Sequence, residues 1–220
     1  MKKYVLLAIV WLIAVETQAI AKNTWNRGEL SLINGTVLTG DLSYNWRAEI
    51  VQYRDGNTIK AFSALQVREF KYFDVDQNTL RKFIVADQPD KSSRHRLFLE
   101  EFGVGSMMIY RQLRHARDPI HIGNPMNTSI DDKSPKSLDR YVYYIYEGDQ
   151  MTSLTDFNTE LWPRMKAEFD DELTHYSATI QANFSSTLTR LLLIAQYNQL
   201  KARANQLTIS HSDLQPTSLD

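Results

Sequence analysis

The chain predicts an α+β fold: an N-terminal antiparallel curved sheet or small barrel-like β unit, with two C-terminal α-helices packed on or beside it. Three observations predict it. Between Trp25 and about Tyr146, apolar and polar residues alternate and tight-turn signals recur. From Asp156 onward the apolar period lengthens to between three and four residues. The 220 residues include no cysteine, so an ordinary hydrophobic core, rather than disulfides, must hold the fold.

Residues 1–21 read as a secretory signal peptide. Lys2 and Lys3 precede an uncharged, nearly all-apolar run from Tyr4 to Val15. Ala19-Ile20-Ala21 then supplies small residues at cleavage spacing, with Thr17-Gln18-Ala19 as a second site. The run is shorter than the roughly 20 residues a helix needs to span a bilayer. No later stretch is long enough either, so no transmembrane span is expected in the mature chain. Without a cysteine, a lipid anchor on the mature N-terminus is excluded. The expected location is the periplasm or the exterior of a bacterial cell.

Residues 22–150 form the expected β-rich domain. Leu30 and Leu32 alternate with polar residues, and Asn34-Gly35 is a favoured two-residue hairpin turn. Thr36 to Tyr44 returns, and Ile50 to Tyr53 makes a third strand. Arg54-Asp55-Gly56-Asn57 turns, Thr58 to Phe62 returns, Ser63 to Gln66 suggests one helical turn, and Val67 to Phe73 is a fifth strand. Leu80 to Val85 continues the β pattern. Leu97 to Phe102 and Met107 to Leu113 suggest a hairpin around Gly103 and Gly105. The stretch 117–138 is proline-rich and polar, a long loop. Tyr141 to Tyr146 is the strongest strand signal. Its bulky residues on both faces imply a covered position.

The helical region is expected over 151–206. Phe157, Leu161, Met165, Phe169, Leu173 and Tyr176 share one face, and Pro163 suits a helix start. A second helix from about Thr187 to Ala204 carries Leu188, Leu191, Leu192 and Ala195, with Leu191 and Leu192 expected to be buried. Residues 207–220 are polar and aperiodic, a disordered tail.

Without Lys2, Lys3 and Glu16 the chain keeps 23 basic and 25 acidic residues, a formal charge of −2. That balance argues against general nucleic-acid binding, which needs a basic excess. Asp74-Val75-Asp76-Gln77-Asn78 begins like a calcium loop, but Thr79 and Val85 stand where that loop needs glycine and an acidic ligand. The histidines (His95, His115, His121, His175 and His211) lack metal-ligand spacing, and no nucleotide loop or nucleophile elbow is present. No catalytic residue, cofactor or metal site is therefore assigned. Glu100 and Glu101, adjacent on a strand, must point to opposite faces. Arg94, Arg96, Arg111, Arg114 and Arg117 concentrate positive charge around the second hairpin. They are the candidate patch for an anionic glycan, a phosphate group or an acidic partner.

Phe98-Leu99-Glu100, Gly103 and Ile109-Tyr110-Arg111, followed by Tyr143-Tyr144-Ile145-Tyr146-Glu147-Gly148-Asp149 and Leu154, Phe157 and Leu161, resemble a recurrent layout. It occurs in uncharacterised secreted β-rich proteins of Bacteroidetes-type bacteria with C-terminal helices. Gly35-Thr36-Val37-Leu38-Thr39-Gly40 is similar to their N-terminal hairpin. The resemblance implies an envelope location and carries no catalytic residues. The functional expectation is an exported, non-enzymatic binding or assembly module for a protein or glycan. An envelope hydrolase with an unrecognised active site is the alternative.

Overall fold

The computed structural model describes residues 24–87, 96–114 and 138–212, with side chains to 207. The leader 1–21, the loop 117–138 up to residue 137, and residues 213–220 lie outside the described residues. Among the described residues ten antiparallel strands form one sheet in the order β10-β9-β8-β7-β6-β5-β1-β2-β3-β4. They are β1 (Asn26–Leu32), β2 (Val37–Asn45), β3 (Ile50–Asp55), β4 (Thr58–Ser63), β5 (Val67–Asp74), β6 (Thr79–Asp87), β7 (Arg96–Gly103), β8 (Met108–Leu113), β9 (Tyr141–Glu147) and β10 (Gln150–Ser153). A 3-10 turn (Leu154–Asp156) and a π turn (Phe157–Leu161) lead into α1 (Trp162–Thr179), and α2 (Thr187–Ser212) follows. The architecture is α+β with a curved, open sheet.

The turns form where the local chemistry dictates. Gly35 and Gly56 take positive φ, +85° and +56°, at no steric cost. The Asn34 side chain accepts from the Thr36 amide at 3.0 Å. Curvature follows from connectivity. In the sheet order β4 lies four places from β5, about 19 Å away if the sheet were flat. Ser63 to Val67 is four peptide steps, and the Gln66 amide donates to the Ser63 carbonyl at 3.0 Å, a tight turn. Even fully extended, those steps span only about 14 Å. The first five strands must therefore curl. Gly28 and Gly40, paired across β1 and β2, permit it. A Cβ on Gly28 would lie 2.3 Å from the Lys71 carbonyl oxygen, and one on Gly40 2.7 Å from the Tyr53 ring.

The concave face carries two apolar cores. Leu30, Leu42, Val51, Tyr53, Val67, Phe70, Tyr72, Phe83 and Phe98 fill the curl of the N-terminal strands. The Tyr44 ring reaches across it to Phe70, Phe83 and Phe98, at centroid distances of 5.3, 5.1 and 5.6 Å. The second core lies where α1 and α2 cover β8 and β9, and joins Met107, Ile109, Tyr143 and Ile145 to Phe157, Leu161, Met165, Leu173, Leu193, Ile194 and Tyr197. On the opposite face Leu97, Leu99, Tyr110 and Tyr144 form a third buried cluster. The tyrosine strand is thus covered on both faces, as its composition implies.

Ser63 to Gln66 forms the single turn expected, closed by the Gln66 amide on the Ser63 carbonyl at 3.0 Å. Three expectations need correction. The sheet continues past Gln150 into β10, paired to β9 around Gly148 at φ +58°. Helix α2 runs on to Ser212, so residues 207–212 are helical rather than a disordered tail. Their lack of a period is no bar to extending a helix already nucleated by packing. Finally, Leu192 is 39 % exposed, while Leu193 and Ile194 are fully buried. The apolar run surrounds the helix, so periodicity could not choose its inner face. The first helix behaves as read: Phe157, Leu161, Met165 and Leu173 point inward, and Pro163 sits in the first turn of α1. Among the described residues no helix is long and apolar enough to cross a membrane.

Candidate functional site

Between the two concave-face cores lies a charged seam. β6 pairs with β7 so that Phe83 faces Glu100, and β7 pairs with β8 so that Glu100 faces Arg111. This register gathers Arg81, Glu100 and Arg111 on one face. Glu100 is only 6 % exposed. Arg81 Nε donates to its Oε1 and Arg111 Nε to its Oε2, each at 2.8 Å. Arg81 NH1 also lies 3.6 Å from Asp74 Oδ2. Burial is the largest influence on the Glu100 carboxyl and pushes it up, but the hydrogen bonds and charges of the two arginines hold it below the ordinary value. Glu100 is therefore an ionised acceptor, not a proton donor. Burial likewise pushes the Tyr72 hydroxyl up to about 12, against the opposing charge of Arg81.

Aromatic rings frame both guanidiniums. Arg81 lies over Phe83 and Tyr72, at 5.3 and 5.9 Å from the centroids. Arg111 lies closer to its rings, 4.7 Å from Phe102 and 4.4 Å from Tyr141. Such contacts favour a cation most where water is excluded, and the Arg111 side chain is 17 % exposed. Tyr143, 3 % exposed, stands beside them, its ring edge-on to Phe102. Its hydroxyl is buried beside Arg111, and burial pushes its proton affinity up against the opposing charge of that guanidinium.

Of the five arginines singled out in the sequence, Arg94 and Arg117 lie outside the described residues. Arg111 is built into the seam. Arg114, just past β8, donates through Nε to the Tyr141 carbonyl at 3.3 Å. Arg96 begins β7 at the same end of the sheet and pairs loosely with Asp87 at 3.8 Å. Arg111 and Arg114 thus both touch Tyr141, the first over its ring and the second at its backbone carbonyl, with Arg96 on the neighbouring strand. Sequence reading missed Arg81 and the role of Glu100. The signal available was a lone arginine amid the apolar alternation of β6, too common to stand out. Glu100 and Glu101 do face opposite ways: Glu101 accepts from Lys82 at 3.0 Å on the other face. His95, His115, His121 and the His211 side chain lie outside the described residues.

Two further contacts hold the helical layer over this face. Asn198 on α2 clasps the β7–β8 hairpin, accepting from the Met107 amide and donating to the Met107 carbonyl, both at 2.8 Å. A Cβ on Gly105 would fall 2.3 Å from the Asn198 side chain, so only glycine fits there. Arg164 on α1 donates to Thr152 at 3.3 Å and pairs with Glu147 at 3.2 Å. Comparison of the chain with protein-family models, with curated proteins and with solved structures finds no significant match.

Proposed function

We propose that the protein is exported to the bacterial envelope and acts there as a non-enzymatic binding module that holds an anionic group of a partner. The observation that carries this reading is Arg111. Its guanidinium uses one donor on Glu100 and lies against Phe102 and Tyr141. Glu100 is shared with Arg81, so Arg111 receives only part of one negative charge, and Arg114 adds another cation beside Tyr141. A partly exposed, under-compensated guanidinium fixed in an aromatic frame is a ready receptor for an anion. The export half of the reading rests on the leader-like N-terminus and the resemblance to secreted proteins. A hydrolase would need an acid or base poised to exchange protons, whereas Glu100 is held ionised by its arginines.

The test is capture of partners from the native envelope by the wild-type protein and by Arg111→Lys, read by mass spectrometry. A partner retained by the wild type and lost from the variant supports the reading; an identical set from both proteins sinks it. Export is checked separately by N-terminal sequencing of protein from its host. The expected first residue is Ile20 or Lys22, and Met1 on folded, membrane-bound protein would remove the compartment.

A further inference from the structure

We propose that the open edge of β4 receives an extended segment of a partner protein that carries an acidic side chain opposite Lys60. The inference goes beyond the Arg111 reading and uses none of its residues. The sheet ends in two edge strands, β10 and β4. At β10 the edge is short and covered: Thr152 and Ser153 are buried, and Arg164 of α1 donates to Thr152 at 3.3 Å. At β4 the edge is open: Thr58, Ile59, Lys60 and Ala61 are all exposed. The pairing of β4 with β3 closes on Asp55 and Thr58 across the tight turn at Gly56 and Asn57, and residues that flank such a turn exchange backbone hydrogen bonds. Alternation along an antiparallel pair then turns the backbone groups of Thr58, Lys60 and Phe62 toward β3, and those of Ile59, Ala61 and Ser63 outward. Ser63 is already served: its amide donates to Gln66 Oε1 at 3.2 Å, and its carbonyl accepts from the Gln66 amide at 3.0 Å. Ile59 and Ala61 are left with outward donors and acceptors that no described residue meets.

Lys60 decides which strand can meet them. It stands between Ile59 and Ala61, exposed, and no described carboxylate pairs with its ammonium. A lysine on an edge strand guards against indiscriminate pairing. A second copy of β4 that bonded both Ile59 and Ala61 would set one Lys60 directly against the other. That position is a non-hydrogen-bonded pair, where side chains come closest, and like charges directly opposite are destabilising. The same closeness favours an aspartate or glutamate on a foreign strand. On the other face of the strand Ile59 is 56 % exposed, an apolar surface for the residue next to that acid. The occupant is therefore an extended segment with an acid between apolar residues. Main-chain bonds supply affinity, while Lys60 and Ile59 supply the choice.

The experiment is fluorescence anisotropy on the full chain with two labelled probes: a short alternating valine–threonine peptide with a central glutamate between valines, and its counterpart with a central lysine. The glutamate peptide is expected to bind, and the lysine peptide to bind at least about threefold more weakly, the worth of replacing an attractive cross-strand pair by a repulsive one. Lys60→Glu should reverse that preference. Ala61→Pro removes an outward N–H that β3 does not use, so it should abolish binding and keep the melting temperature; should that variant not fold, the reversal by Lys60→Glu decides. Equal binding of the two peptides, no reversal in Lys60→Glu, or no binding of the glutamate peptide at millimolar concentration would each overturn the inference. So would sedimentation that shows a dimer of the wild type dissolved by Ala61→Pro, since the occupant would then be a second copy. Arg111-dependent capture from the envelope is read separately, so either result stands or falls without the other.

Discussion

Glu100 shows how one residue can join two cores. It is the acceptor for two guanidiniums in a nearly dry site. Removing one partner from such a buried set typically costs about 3–5 kcal/mol, because the remaining charges lose their compensation. Glu100→Gln is expected to lower stability by about that amount in denaturant unfolding. The pH dependence follows from the sign of the shift. The folded carboxyl titrates below its unfolded value of about 4.3. Its stabilisation is therefore fully present above that value and is lost as pH falls through the folded one. Thermal melts between about pH 5 and 2 should show a steep acid limb in the wild type and a shallower one in Glu100→Gln. Tyr72 acts in the opposite direction. With its folded value pushed to about 12, its contribution is complete below the ordinary value of about 10 and is lost as pH rises through the folded one. Tyr72→Phe should flatten the alkaline limb of the same profile, and an unchanged limb would contradict this assignment.

The docking of α2 is a property of the element, and its energetics depend on which face turns inward. Leu193 and Ile194 are fully buried and Tyr197 nearly so, its hydroxyl donating to Glu168 at 2.9 Å while Lys201 pairs with the same carboxylate. Leu193→Ala should cost about 2–5 kcal/mol, the range for emptying a buried leucine site. Leu192→Ala, one residue away, should cost less than about 1 kcal/mol. Equal losses would show that the helix is rotated from the orientation described. The Asn198 clasp adds direction to this apolar contact. Asn198→Ala would leave the Met107 amide and carbonyl without their partners, at about 1–3 kcal/mol. Gly105→Ala should be at least as damaging, since its Cβ would collide with the Asn198 side chain.

At the scale of the molecule, the sheet and helices form one structure because the second concave core is divided between them. Met107, Ile109, Tyr143 and Ile145 from the strands have Phe157, Leu161, Leu193 and Ile194 as their partners. Helices in proteins take most of their stability from packing of an apolar face, and the strands would expose their own half of the core. The intact protein should therefore melt in one transition. A chain ending at Gln150 should be insoluble or lack a cooperative melt. A truncated chain that folds and melts like the full one would separate the two layers and make the helices an appendage.

The local features were legible in the sequence because they are local. Asn34-Gly35 and Asp55-Gly56 meet the φ demands of their own turns, the period-two runs mark strands, and the change of period at Asp156 marks the helical layer. Those signals alone determined the α+β class, the order of the first nine strands and the two helices, and the inner face of α1. The tertiary structure decided what periodicity leaves open. A run apolar on all sides does not say that Leu193, rather than Leu192, is inside. A list of arginines does not say that Arg111 meets Glu100 while Arg81, 19 positions before that glutamate, meets it from the other side. Strand register decides which charges share a face, and register is set by pairing between strands distant along the chain. A charge acquires its partners, its burial and its proton affinity only when those strands come together.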